Sequence, residues 1–561
     1  MTAGEPGGDT AGVAALRYRR TAERVLDAML EASPEWATEL GDHRFDDRLD
    51  DLSPEGVAHR VDLLRDAAGA LDDLDDTELE PDDRVDLEIL RATVTRDLWT
   101  AEELAPHTSD PLVHLPGDAL YPLLVREAGD PVQRLTALTG RLAAVPERLA
   151  NARDVLREMP RVHVETAIVQ VRGTVALLDG VDELAGLDPG LAPRLLAARE
   201  AAAAALEAHA GWLEAQLVVS DADPRLGPDR YAARLWYTLD CEVGPDALLT
   251  RAESDLQAVE ETIAEVASRI AGAPPRPGQV REMLDRSARE APVDDTTILP
   301  LCHDALAAAA ERVSRLELVT VPPDPVEIIV MPPARRGVAV AYCDAPGALE
   351  PVGPDGPQPT FFAVSPTPDG WSAERVASFY REYNGHMLRN LTVHEAMPGH
   401  VLQLAHAARH RGATRVRRAL RSGAFVEGWA VYAEELMATL GPDVDDALRL
   451  QQLKMRLRST INAVLDVRVH AHGMTRDEAM ALMTERGHQE EGEAVGKWRR
   501  ALLTSAQLTT YYVGAHEVTD VVRGLRRARP GAPEREVHDA VLAHGCPPPR
   551  HLRALLGLPP D

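Results

Sequence analysis

The sequence predicts a mainly α-helical protein that carries a small β-sheet insert just before its candidate metal-binding helix. Three observations lead there. Apolar residues recur every three or four positions through most of the 561-residue chain, as in YRRTAERVLDAMLEA and RLLAAREAAAAALEAHAGWLEAQL. Hydrophobic residues reach 45% although aromatics are only 4%, so Ala, Leu and Val must build a core of closely packed helices. From about Glu317 the texture switches to short β-branched runs.

Taken in order, helices run from about Ala15 to Leu316, punctuated by Pro, Gly and Asp clusters. The richest of these, GAPPRPG at Gly272 to Gly278, reads as a loop, and no repeat of fixed period stands out. LELVTV, VEIIVM, GVAVAYCDA and TFFAVSP are then expected as strands of a small sheet within 317–366. Helix resumes at Ser372, a suitable N-cap with Glu374 in the first turn, and runs toward His394. This divides the chain into a helical region, 1–316, and a region of candidate chemistry, 317–561, with its metal helices in 372–440. The two are expected to form one integrated unit.

Composition limits the function classes. Lys plus Arg number 60 against 90 Asp plus Glu, a net charge of −30 spread along the chain, which argues against a nucleic-acid partner. No stretch approaches 18 apolar residues without charge, and MTAGEPGGDTAGVAALRYRR lacks the basic start and apolar core of a secretory signal. The expectation is a cytoplasmic protein with no membrane partner. Cys241, Cys302, Cys343 and Cys546 form no CxxC pair and read as reduced small residues.

The chemistry concentrates in HEAMPGHVLQ, His394 to Gln403. Hydrolytic zinc sites use three protein ligands, commonly two imidazoles and a carboxylate, and leave a fourth position for water. His394 and His400 are the candidate imidazoles, and Glu427 in FVEGWAVYAEE is the candidate carboxylate. Residues six apart on an ideal helix differ by roughly 240° of net rotation and roughly 9 Å of rise, so their side chains cannot meet. The helix must therefore be interrupted, and Pro398 and Gly399 are suited to do it. Glu395 stands where the general base stands in HExxH enzymes, and Glu434, seven residues after Glu427, can hold an imidazole N–H from behind. A kinked helix with hydrogen-bonded side chains and no metal satisfies the same spacing. HEVTD at His516 lacks a second histidine, and GHQEEGE, Gly487 to Glu493, reads as a solvated acidic face.

HEAMPGH and EGWAVYAE together resemble the bacterial domain-of-unknown-function family 885, whose members group with gluzincin-type metallopeptidases. SPEWATELGDHRFDDRLDDLSPEG, TFFAVSP, DVRVHAHGMTRDEA and QLTTYYVG extend the resemblance along the chain. It implies a helical metallopeptidase-like fold around a deep cleft, one zinc held by His394, His400 and Glu427, and Glu395 as base. Family members often read PGHHLQ where this chain has PGHVLQ, so Val401 replaces a second histidine; His400, directly after the Pro-Gly break, is the favoured ligand.

The function expected is hydrolysis of amide bonds in short peptides or small amides by metal-activated water, with Tyr511 or His470 as donor to the oxyanion. Arg468 is a candidate for a substrate carboxylate, although an exposed salt bridge suits it as well. The strand at Phe361 to Val364 is a candidate edge for pairing with a peptide backbone. Two other readings stay open: a metal-dependent enzyme acting on a non-peptide small molecule, and a helical binding scaffold without catalysis.

Overall fold

The computed structural model describes residues 7–126, 129–332, 340–353, 356–368, 370–442 and 444–559, with residues 7–11 as backbone alone. Helices dominate it. By contacts the chain divides into two compact units. The first takes Met1–Pro224 with the later segments Pro346–Gln358 and Arg411–Leu420; the second takes Arg225–Ala345, Pro359–His410 and Arg421–Asp561. The helices between Pro228 and Arg315 fall in the second unit because they pack on those that carry the candidate site. Helix Pro245–Ala271 lies along Asp446–His472, and Ile298–Arg315 along Gly385–Glu395.

The first unit has its own core of Leu, Val and Ala, drawn mainly from helices Pro131–Val155, Arg161–Leu177 and Ala192–Gln216. Its two later segments are tied in by charge. Arg417, fully buried, pairs with Asp86 and Asp82, and Arg415 pairs with Glu23 and Asp27.

The second unit holds the sheet and the site. The expected sheet is present with three strands, β1 (Val326–Val330), β2 (Ala341–Asp344) and β3 (Thr360–Val364), in the order β1-β3-β2. β3 runs parallel to β1, with Val326 opposite Thr360, and antiparallel to β2, with Ala341 opposite Val364. Because both its edges are taken, β3 has no free edge for a peptide, which corrects the expectation placed on Phe361 to Val364. Gly337 to Ala339 of GVAVAYCDA lie outside the described residues.

LELVTV is not a strand. Its apolar residues Leu318 and Val319 instead pack among the C-terminal helices. Its backbone groups are satisfied by side chains: His538 donates to the Leu318 carbonyl, His406 to the Thr320 carbonyl, and Asp539 accepts from Thr320 N–H. β-Branched composition therefore marked burial here, not a ladder.

GAPPRPG is the loop expected of it, between helices Pro245–Ala271 and Gln279–Glu290. Ser372 caps helix Ala373–Glu382 by accepting from Arg375 N–H. Among the described residues none of the four cysteines is joined in a disulfide. Among the described residues no helix is long and apolar enough to cross a membrane.

Candidate metal centre

Helix Gly385–Glu395 carries the first histidine. Asn384 opens it by accepting from the N–H groups of His386 and Met387, and its last turn is buried. The helix stops at Glu395, where Ala396 and Met397 both donate to the Thr392 carbonyl and Pro398 offers no donor. Gly399 N–H reaches back to the Val393 carbonyl at 2.9 Å, and a new helix, His400–Arg409, begins. Only glycine fits at that return: a Cβ on Gly399 would stand 1.9 Å from the His394 carbonyl oxygen. The break brings the two imidazoles edge to face with centroids 4.8 Å apart.

Helix Gly423–Thr439, capped by Ser422, supplies the third group. Glu427 lies one turn in, and Trp429, two residues later, donates its indole N–H to the Pro398 carbonyl at 2.8 Å. That bond ties the Pro-Gly break to the helix of Glu427, so His400 and Glu427 are located by one another.

The three candidate ligands converge. Glu427 Oε2 lies 3.5 Å from His394 Nε2 and 3.6 Å from His400 Nε2, and one ligand atom from each residue falls within 4.8 Å of the others. No other group of three or more His, Cys, Asp or Glu among the described residues is placed to hold a metal. Both separations are too long for good hydrogen bonds, and Glu427 Oε2 is buried with no hydrogen-bond partner among the described residues. Glu434, 2% exposed, accepts from His394 Nδ1–H at 2.6 Å and from the Asn390 amide at 2.7 Å. With Nδ1 carrying the proton, Nε2 can turn a lone pair toward Glu427.

The local field favours positive charge between the carboxylates. Burial works against a charged His394, yet Glu427 and Glu434, with Glu395 nearby, outweigh it and hold its pKa well above the ordinary histidine range. Burial likewise opposes ionised Glu427, and the two imidazoles reverse this, holding it well below the usual carboxylate range. A buried set of this kind demands a cation, whether proton or metal, and its chemistry of two imidazoles and a carboxylate suits a divalent ion.

Around this group stand the residues expected to act on a substrate. Among the described residues the Glu395 carboxylate has no hydrogen bond or ion pair. Tyr511 belongs to helix Thr509–Ala528, which crosses Gly423–Thr439 where Gly428 meets Gly514; a Cβ on Gly514 would lie 1.9 Å from the Ala424 carbonyl oxygen. The crossing sets the Tyr511 ring nearly parallel to the His394 ring, centroids 6.4 Å apart. Burial, then the charge of Glu427, raise the Tyr511 pKa, while Arg500 and Gln507 pull the other way.

His470 is not in this group, which corrects its candidacy as oxyanion donor. Its Nε2–H donates to the carbonyls of Ala501 and Thr504, at 2.8 and 2.9 Å, and its ring stacks on Tyr231. It fastens helices together. Arg468 is spent on Glu253, and His516 on Asp255 and two arginines. Val401, 3% exposed, faces an apolar cluster with Phe362, Leu388 and Leu391, so the histidine that differs from the family pattern is on the core side and His400 is the one turned to Glu427.

GHQEEGE is not a solvated acidic face throughout. Glu490 pairs with Arg281 and Arg381, and Glu493 with Arg458 and the Tyr383 hydroxyl. Sequence reading also passed over Asn390, Trp429, Lys497 and Arg500. The signal for the last two was GKWRR, basic residues at i and i+3 inside a chain of net charge −30.

Two solved structures share this fold. A lipoprotein candidate of unknown function from Shewanella oneidensis superposes with a TM-score of 0.79 at 24% identity, covering 96% of this chain and 99% of its own. A lipoprotein candidate from Colwellia psychrerythraea superposes with a TM-score of 0.78 at 17% identity, covering 98% of each chain. No curated protein matches the chain. The family model described as "Bacterial protein of unknown function (DUF885)" matches residues 34–556, and the chain belongs to that family.

Proposed function

We propose that the protein is a zinc-dependent hydrolase, a metallopeptidase that cleaves amide bonds in short peptides or small amides. One observation carries the reading: a buried carboxylate oxygen of Glu427, without a hydrogen-bond donor, 3.5 and 3.6 Å from two imidazole nitrogens. Ligand atoms placed tetrahedrally at about 2.1 Å from one zinc stand roughly 3.4 Å apart, close to both separations. Four cysteines outside any disulfide among the described residues fit a reducing compartment, and we place the protein in the cytoplasm.

His394, His400 and Glu427 would hold the ion, which supplies a Lewis acid that brings deprotonation of water toward neutral pH and polarises the amide carbonyl. Glu434 keeps the His394 proton on Nδ1 and leaves Nε2 free as a donor. Glu395, its carboxylate unengaged by protein, takes the proton of the attacking water and returns it to the leaving amine. Tyr511, held protonated at neutral pH, donates its hydroxyl hydrogen to the oxyanion while accepting from Arg500 at 3.1 Å.

The test is metal content by plasma mass spectrometry for wild type, Glu395→Gln and His400→Ala, followed by a peptide-library digest. About one zinc per chain in the first two and none in the third, with cleavage by wild type alone, is expected. Equal zinc in all three, or none in any after purification with added metal, sinks the assignment.

A further inference from the structure

Helix Glu491–Leu503 carries two basic side chains, Lys497 and Arg500, that form no ion pair among the described residues. Lys497 is 6% exposed, and among the described residues its ammonium group makes no hydrogen bond and no ion pair within 4.0 Å. Arg500, one turn on, has only neutral partners for its guanidinium among the described residues, the Gln507 side-chain amide oxygen at 2.8 Å and the Tyr511 hydroxyl at 3.1 Å. Of the two carboxylates whose charge reaches Lys497, Glu493 is paired with Arg458 and Glu427 is turned to the two imidazoles.

These cations belong to the neighbourhood of the metal group. Arg500 touches Tyr511, whose ring lies against that of His394, and both Lys497 and Arg500 feel the charge of Glu427. Burial, then the like charges of Arg458 and Arg500, push the Lys497 pKa well below the ordinary lysine range. A buried amine with no partner is costly unless something supplies the missing negative charge. Glu493 and Glu427 offset part of that cost from a distance, but among the described residues neither forms an ion pair with the amine.

We propose that Lys497 and Arg500 form a subsite for a carboxylate of the substrate, supplied by the free C-terminus of a short peptide. The proposal rests on the peptidase reading for its choice of substrate. It makes the enzyme act near chain ends: Arg500, held against Tyr511, and Lys497, one turn before it, would anchor the terminal carboxylate and so place a nearby amide at the metal group. A carboxylate side chain offers the same chemistry from a second source, and the experiment separates the two.

The experiment is isothermal titration calorimetry on zinc-loaded Glu395→Gln, which holds a peptide without turning it over. Three N-acetylated probes are compared: trialanine as the free acid, trialanine as the C-terminal amide, and the amide with one alanine replaced by glutamate. Preference for the free acid over the amide by tenfold or more is expected, abolished by adding Lys497→Met and retained with Lys497→Arg; circular dichroism checks that each variant is folded. Recovery of affinity by the glutamate amide would support the carboxylate subsite and move its source to a side chain. Equal binding of acid and amide, a preference that survives Lys497→Met, or no binding of any probe would overturn it.

Parallel digests with wild type keep the two ideas apart. Cleavage of acid and amide at equal rates leaves the peptidase standing and removes the subsite. An acid preference in binding with no peptide cleaved leaves the carboxylate subsite standing and removes the peptidase.

Discussion

Gly399→Ala tests the geometry of the break between the two histidines. The new Cβ would sit 1.9 Å from the carbonyl oxygen of His394 and 2.3 Å from that of Val393, against a floor of about 3.0 Å for real Cβ contacts. It must therefore move by about 1.1 Å from the first and about 0.7 Å from the second. Both obstacles are backbone of helix Gly385–Glu395, so no rotamer change relieves them. Displacing Gly399 along its 2.9 Å bond to Val393 stretches that bond beyond hydrogen-bond range. Overpacking costs about 1–3 kcal/mol and an unpaired buried backbone group about 1–3 kcal/mol, so a loss of about 2–6 kcal/mol is expected.

His400 begins directly after Gly399, so the shift is passed to it, and a misplacement of about 1 Å is expected to cost about 10²-fold in turnover. Urea denaturation of the metal-free protein and competitive zinc titration read the two effects separately. Gly496→Ala, in a helix with open space around its Cα, serves as control and should stabilise by about 0.5–1 kcal/mol. Were Gly399→Ala to unfold within 0.5 kcal/mol of wild type and bind zinc as tightly, the account of the break would be wrong.

Three further outcomes are expected. Glu434→Ala leaves His394 Nδ1–H and the Asn390 amide buried without an acceptor, costing about 1–3 kcal/mol for each in urea denaturation and about 10–100-fold in zinc affinity by competition; wild-type values in both assays would contradict the role given to Glu434. Val401→His places an imidazole in an apolar cluster, so a loss of about 1–3 kcal/mol with no second zinc bound is expected from denaturation and metal analysis. In the first unit, hydrogen bonds to Asp46 and then Glu350 raise the His43 pKa to about 10. Because the folded value lies above the ordinary histidine value of 6.5, the stabilisation is complete below about pH 6.5 and fades as pH climbs to about 10. The Tm difference between wild type and His43→Gln should be present at pH 6 and vanish by pH 10.5, and a difference that persists there would refute the pairing.

What could be read from the sequence follows from how local each signal is. His394, His400 and Glu427 were legible because six-residue spacing across Pro398 and Gly399 is incompatible with one straight helix, so the break and its consequence could be derived before any coordinates. Glu434 was legible as a helix-face neighbour of Glu427, and the capping by Ser372 as a local side-chain motif. LELVTV misled because β-branched residues report burial as readily as strand, and its burial depends on partners such as His538 more than two hundred residues away. His470 misled because a histidine inside a matching motif looks the same whether its ring faces a substrate or two backbone carbonyls. Lys497 and Arg500 went unread because what sets them apart is the lack of a paired anion among the described residues, which a sequence does not display.

The contact between Gly428 and Gly514 has a consequence for anyone wishing to transplant the site. Glu427 directly precedes the first glycine and Tyr511 lies three residues before the second, so the spacing of carboxylate and phenol is set by two main chains touching, not by side chains that can re-pack. Grafting the ligands onto another helical scaffold would reproduce that spacing only if both glycines travelled with them. Libraries that vary the surrounding core should leave the pair untouched.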